Sequence, residues 1–494
     1  MQDFQDVEAS TGAESPVTVH GASQSLKGSK YINFDDKDSL NPRTWPLSKR
    51  VTIAALTTYA TMIVTFASAI FATAVPSLMR IYQIDREVAT LGVSLFVLGF
   101  ALGPMVWASF SELKGRYLPF IISVFGFTAF SFGTAVSKNT PSILICRYLA
   151  GFFGAGPLTL AGPINADMFE GKSFGISMVM FAFTVFMGPV VGQPVGGFIV
   201  MNEHLGWKWT QYLCGILGAA ALVPLIFVLK ETYAPVILAR KAASIRKETG
   251  NMSIIAEHEA VPLSLRVILV EYVGLPITML ISDPIVLLMS LFGSFVYGLL
   301  YLFLIGYPVV FQMIHGMSPG VGGLPYLGLI VGQVLAVVAI FLQQPWMLRK
   351  TKENNGVLMP EWNLPVAVPG AVSFSIGLFW YGWTGYRRDI HWIVPTLSGI
   401  LTGFGLVCTF VPSIAYLIQA RADRPASAVA AHTFLRSLFG SVFPLFGFYM
   451  YKGMGVQWAS TLLGCLAALM IPIPIVLYKY GPVLRAKNQA YRVG

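Results

Sequence analysis

Four side chains combine charge or titration with an apolar setting. His432 and Arg436 lie four residues apart in "HTFLR", the spacing that puts two side chains on one helical face. Imidazole titrates near neutral pH, so His432 can act as a proton carrier or as a hydrogen-bonding spacer between helices. Arg436 can bridge helices through backbone carbonyls or meet a bound molecule. Arg147, in "CRYLAGFFGAGPL", is a second cation inside an apolar run, and Asp167 is a carboxylate at the end of that run. In "SELKGRY" (111–117), Glu112, Lys114 and Arg116 gather on a turn that Gly115 permits, where charges can latch helices together. In "GPVVGQPVGG" (188–197), Gly188, Gly192 and Gly196 are spaced by four, and Gly197 follows. That stripe lets another backbone approach, while Pro189 and Pro194 remove amide donors and should bend the helix.

Composition identifies what surrounds these groups. Of 494 residues, 55% are hydrophobic and 11% charged, and the mean hydropathy is +0.67. A water-facing surface needs far more charge, so the solvent must be mostly lipid. Runs long enough for a helix to cross about 30 Å of hydrocarbon fall at 51–79, 89–111, 118–136, 141–166, 174–200, 209–229, 284–312, 321–347, 364–385, 390–418, 427–451 and 455–478. Most connections are short and polar, whereas about fifty residues separate the sixth run from the seventh. The expected fold is therefore an all-α integral membrane protein of twelve transmembrane helices in two six-helix halves. Its segments are a disordered cytosolic tail (1–50), an N-terminal half (51–229), a middle loop (230–282), a C-terminal half (283–478) and a C-terminal tail (479–494).

Sidedness follows from the basic residues. With the N-terminus in the cytosol, about 24 Lys and Arg fall in inside segments against about 7 outside. Both termini and the middle loop are thus expected in the cytosol, and the net charge of +10 is a topology signal more than a nucleic-acid signal. In "LARKAASIRKETGN" (238–251) charges recur at helical spacing, fitting either an amphipathic helix on the inner membrane surface or a solvated connector. Trp45 and Trp392 are expected as interface anchors.

Enzyme motifs fail at particular residues. The Gly-Lys-Ser of "EGKSFG" (170–175) lacks the earlier glycine of a phosphate loop, with Ala166 in that place. "HEAVP" (258–262) lacks a second His for zinc. No cofactor or metal is expected. Cys146, Cys214, Cys408 and Cys465 all fall within apolar runs, where thiols pack as small apolar groups. Asn251-Met252-Ser253 has the glycosylation pattern but lies on the expected cytosolic side, so it should be unmodified.

Several of these stretches resemble the major facilitator superfamily, in its fungal twelve-span drug:proton antiporter branch. "GPVVGQPVGG" looks like the fifth-span Gly-Pro signature, "GPMVWASFSELKGRY" (103–117) like the loop between spans two and three, and "CRYLAGFFGAGPL" (146–158) like the fourth-span Arg motif. "LGWKWTQYL" (205–213), "KETYAPVILARKA" (230–242), "DPIVLLMSLFGSFVYGLLYLF" (283–303), "HTFLRSLFGSVFPLF" (432–446) and "MGVQWASTLL" (454–463) are similar to the same branch. The resemblance implies alternating access around a central cavity and proton-driven export of small amphipathic molecules: drugs, toxins or secondary metabolites. It associates Arg147 with proton coupling and implies a plasma-membrane location; a monomer is expected. Tyr117 stands where the family usually has a second basic residue, which would weaken the latch.

No Asp or Glu lies well inside the twelve runs; Glu112, Asp167, Asp283 and Glu361 fall at or beyond their cytosolic ends. Related polyamine-type exporters carry an acidic residue in span seven and another near the end of span ten, where this sequence has "FLIGYP" (303–308) and Gln419. A cavity holding two Arg and no carboxylate disfavours cations, so neutral or weakly acidic amphiphiles fit better. The candidate cavity residues are Tyr297, Tyr301, Tyr307, Gln333, Tyr416, Arg436 and Phe443. Asp167 and His432, with Arg147, are the candidates for proton coupling. The missing carboxylates equally suit a facilitator or importer of an organic acid or nutrient, and a receptor or scaffold on the same helices is the third class.

Overall fold

The computed structural model describes residues 30–31, 33–34, 38–249, 254–255, 274–421 and 424–490. The expectations for residues 1–29 and for Asn251 lie outside the described residues. The first apolar helix, α1 (Leu47–Ile70), continues through a 3-10 turn at Phe71–Ala74 into α2 (Val75–Tyr82). Then come α3 (Arg86–Lys114), α4 (Tyr117–Val136), α5 (Thr140–Met168), α6 (Gly171–Met201) and α7 (Lys208–Val228). After α8 (Ala234–Thr249) and α9 (Leu275–Ser282) follow α10 (Pro284–Tyr307), α11 (Tyr326–Glu353), α12 (Ala367–Gly385), α13 (Ile393–Ala420), α14 (Pro425–Met470) and α15 (Pro472–Ala490).

Local chemistry fixes the helix ends. Asn139 caps α5 by accepting from the Ser142 amide at 2.9 Å, and Asp283 caps α10 by accepting from Ile285 at 3.0 Å, with Pro284 at the first helical position. Gly115, at φ 88° and ψ 176°, ends α3 in a conformation few other residues adopt.

Among the described residues, eleven helical runs are long and apolar enough to cross a membrane. The first ten begin and end within a few residues of the expected runs. The eleventh, Ser427–Arg485, spans 59 residues and holds both remaining runs. Gly455 breaks helical geometry between them, at φ 76° and ψ 157°. Large side chains such as Phe227, Leu342 and Leu469 lie more than 70% exposed, as lipid-facing positions require.

The glycine stripe of α6 packs on α1. A Cβ on Gly192 would sit 3.0 Å from the Phe66 carbonyl oxygen, and one on Gly188 2.7 Å from the Phe66 amide nitrogen. Pro189 and Pro194 both lie inside α6, which runs as one helix from Gly171 to Met201. Gln193 donates to the Ala69 carbonyl at 2.7 Å and ties this stretch to the end of α1. Replacing Gly192 by leucine should force the helices apart and cost about 1–3 kcal/mol, read as a lower midpoint of thermal unfolding in detergent. The matched change at Gly175, which has nothing within 4 Å, should leave that midpoint in place.

The expected disorder of residues 1–50 needs correction over its last part. Asp38 meets Lys241 of α8 at 2.6 Å, and this hydrogen bond holds the Asp38 carboxyl below its ordinary value. A 3-10 turn at Pro42–Thr44 follows, and β1 (Lys30–Tyr31) pairs in parallel with β2 (Ile254–Ile255). Trp45 is buried, donating to the Ser39 carbonyl, so it anchors this segment instead of an interface. Trp392 is 37% exposed.

Candidate functional site

The middle of the bundle is built on α10 and α14. Tyr297 and Tyr301, one turn apart on α10, have hydroxyls 3.4 Å apart, and that of Tyr301 lies 2.8 Å from Ser68 of α1. Gly440 on α14 leaves room for both rings: a Cβ there would lie 3.1 Å from Tyr297 and 3.2 Å from Tyr301. Arg436 lays its guanidinium 4.8 Å from the Tyr297 ring centre and 4.9 Å from that of Phe410 on α13. Phe410 meets Phe186 of α6 edge-on at 4.7 Å, and Gln333 of α11 donates to the Phe186 carbonyl at 3.4 Å. His432 tilts against Phe410 at 5.7 Å. Arg436 is 5% and His432 0% exposed, yet Nε and Nη1 of Arg436 and Oε1 of Gln333 have no hydrogen-bond partner among the described residues.

Three of the expected cavity residues lie elsewhere. Tyr307 belongs to a separate aromatic group with Tyr326 at 4.4 Å and Tyr381 at 5.3 Å. Its position six residues beyond Tyr301 moves it about 9 Å along the helix. Tyr416 sits beside Gly481 among the ion pairs at the helix ends. Phe443 packs in the α10–α14 seam between Phe295 and Phe446, over Gly298. Side-chain spacing alone could not separate these positions, because long helices carry tyrosines at every depth.

Arg147 is 1% exposed. It donates through Nε to the Gly92 carbonyl at 2.9 Å, and through Nη1 to the Ala67 carbonyl at 3.1 Å and to Gln211 at 3.4 Å. Phe71 and Phe96 cover it at 4.6 and 4.1 Å. One guanidinium thereby joins α1, α3, α5 and α7. Asp167 lies twenty residues further along α5, about 30 Å away, so Arg147, Asp167 and His432 form three separate places and not one cluster.

Asp167 accepts from Arg116 Nε at 3.3 Å and from the Thr232 hydroxyl at 3.0 Å. Arg116 also donates to Ser111 at 2.7 Å and stacks on Tyr233 at 4.4 Å. Glu231 completes the group. Its carboxylate accepts from the amides of Arg116 at 2.7 Å, Tyr117 at 3.4 Å, Thr232 at 3.1 Å and Tyr233 at 3.0 Å. It fills the space beside Gly115 that a Cβ would need. Lys114 is exposed, and Glu112 lies near Tyr233. Glu231 was missed as a site residue although "KETYAPVILARKA" contains it; a carboxylate that binds backbone amides leaves no charge pattern to read. Replacing Gly115 by alanine should disrupt the turn through both its φ of 88° and the clash with Glu231, and reduce the folded yield several-fold in size-exclusion profiles.

Comparable ion pairs close the corresponding ends of the later helices. Asp283 pairs with Arg421, and Glu361 takes both Nε and Nη2 of Arg485, at 3.0 and 2.9 Å. Between the earlier and later helices, Gly197 faces the Pro319 carbonyl, the Gly320 amide meets Met201 sulfur at 3.0 Å, Arg86 stacks on Phe448 at 3.8 Å, and Tyr449 donates to Glu87.

A family model described as Major Facilitator Superfamily matches residues 57–444. A Candida albicans protein named major facilitator superfamily multidrug transporter FLU1 is 41% identical over 460 residues, covering 93% of this chain and 75% of that protein. A Didymella fabae protein named ascochitine biosynthesis cluster MFS transporter is 39% identical over 481 residues, covering 97% and 92%. The proton:xylose symporter XylE shares the fold, with a TM-score of 0.64 at 17% identity over 88% of this chain and 96% of its own. This multi-pass membrane protein therefore belongs to the Major Facilitator Superfamily, whose members are transporters of small molecules and not enzymes.

Proposed function

We propose that this protein exports small amphipathic molecules, such as drugs, toxins or secondary metabolites, by proton antiport with alternating access. In this reading twelve spans form two six-helix halves, 51–229 and 283–478, and the last two spans join at Gly455. Both termini face the cytosol, the protein works as a monomer in the plasma membrane, and it needs no nucleic acid. The observation that carries the proposal is the buried group of Arg436, Tyr297, Phe410 and Phe186 at mid-bundle, where side chains from both halves meet with polar groups unpaired. Aromatic faces with a few convergent polar groups suit varied apolar ligands. The similarity to FLU1, named a multidrug transporter, supports the same direction.

The contacts between the halves also fit alternating access. With the termini in the cytosol, the Gly197–Pro319, Arg86–Phe448 and Glu87–Tyr449 contacts all lie toward the outer side. Such a seal corresponds to the inward-facing state of a rocking bundle. Asp167 and His432 are the groups we assign to proton exchange, Asp167 beside the charge latch and His432 beside the cavity; Arg147 stabilises the helices through which they couple.

The test is the cytosolic level of a panel of neutral, acidic and cationic amphiphiles in yeast expressing the chain, against an empty vector. Depletion that a protonophore abolishes is expected. Gradient-insensitive equilibration would replace the proposal with a facilitator, and no flux of any compound would replace it with a scaffold or receptor.

A further inference from the structure

We infer that the mid-bundle site selects organic anions with an aromatic body, and that Arg436 is the counter-charge for their carboxylate. The inference rests on the export reading above for where the site lies, and adds the class of molecule it holds. The Arg436 guanidinium is 5% exposed, and its Nε and Nη1 donate to nothing among the described residues. Its neighbours are ring faces, those of Tyr297 and Phe410. Cation–π contact offsets part of the desolvation of a buried guanidinium but satisfies none of its N–H donors.

No carboxylate among the described residues approaches it. Asp283 is taken by Arg421 and Glu361 by Arg485, and fourteen residues of α10 separate Asp283 from Tyr297, about 20 Å. Nε and Nη1 point to different sides of the guanidinium, and a planar carboxylate can take up either donor in a charge-assisted hydrogen bond. His432, one helical turn away, packs on Phe410 and meets the Met289 backbone, so its ring borders the same site. The body of the ligand is set by Phe186 and Phe410. These rings touch across the two halves at 4.7 Å and separate when the halves rock, leaving two apolar faces for an aromatic ring to enter.

The test compares three probes that share one body: 2-naphthoate, 2-naphthamide and 2-naphthylmethylammonium. Binding to the purified full chain in nanodiscs is measured by equilibrium dialysis at neutral pH, where the first is an anion, the second neutral and the third a cation. We expect naphthoate to bind most tightly and the ammonium most weakly. Arg436→Gln should cut naphthoate affinity roughly 30-fold or more while changing naphthamide affinity little, and Arg436→Lys should recover part of the loss. Equal affinity for all three probes, or a preference for the ammonium, overturns the inference using the wild-type protein alone. A carboxylate preference that survives in Arg436→Gln overturns it as well. Flux in the yeast experiment separates the two proposals. Arg436-dependent naphthoate binding without export leaves the anion site standing and removes the export reading; export of amphiphiles with no carboxylate preference does the reverse.

Discussion

Replacing Arg147 by alanine should abolish transport and lower stability by about 2–4 kcal/mol, the largest effect expected of any single side chain here. The guanidinium supplies hydrogen bonds to the Gly92 and Ala67 carbonyls and to Gln211, at a depth where water cannot replace it. Those carbonyls already serve their own helices, so they tolerate its loss better than a free amide would, which keeps the estimate from rising further. Two aromatic faces would lose their packing partner as well. Arg147→Lys separates charge from geometry: one ammonium keeps the charge but cannot reach α1, α3 and α7 together. We expect this variant to fold with a modestly lower midpoint of unfolding and to retain less than a tenth of wild-type flux. Wild-type flux in Arg147→Lys would show that charge alone is required and that the four-helix tie is dispensable.

The membrane helices were legible because a bilayer enforces one length and one polarity, so each of the first ten apolar runs maps to one helical span. The last two runs share α14, and the kink at Gly455, with its non-helical φ of 76° and ψ of 157°, is what divides them. The Gly188, Gly192 and Gly196 stripe was legible for the reason that spacing by four admits one partner, and α1 is that partner. Site residues were less so. Tyr297, Tyr301, Gln333 and Arg436 converge, whereas Tyr307, Tyr416 and Phe443 share their residue types but sit at other depths or seams. Sequence shows which helix face a side chain is on only relative to its own helix; which neighbour that face meets depends on packing across several hundred residues. The ordered segment 38–50 depended on a long-range partner, Lys241, that no local pattern announces.

The latch offers a sharper division of labour, and here Asp167→Asn and Glu231→Ala should fail in different ways. Asparagine at 167 can still accept from Thr232 and Arg116, so the local structure should persist. What it loses is the ability to exchange a proton, and with it the release of Arg116 that protonation would bring. We therefore expect Asp167→Asn to keep substrate exchange at equal pH on both sides yet lose accumulation driven by a proton gradient by tenfold or more. Glu231 holds four backbone amides at the Gly115 turn. Removing it strands donors in a part-buried site, at about 1–3 kcal/mol, and frees the start of α4 from the end of α7. Both exchange and gradient-driven flux should then fall together, with an earlier thermal transition in detergent. If Asp167→Asn instead loses exchange as fully as Glu231→Ala, Asp167 is a structural member of the latch, and the search for the proton carrier moves to His432. That outcome would also bear on the cavity, because a proton taken up beside Arg436 would compete directly with the charge balance that an anionic ligand needs there.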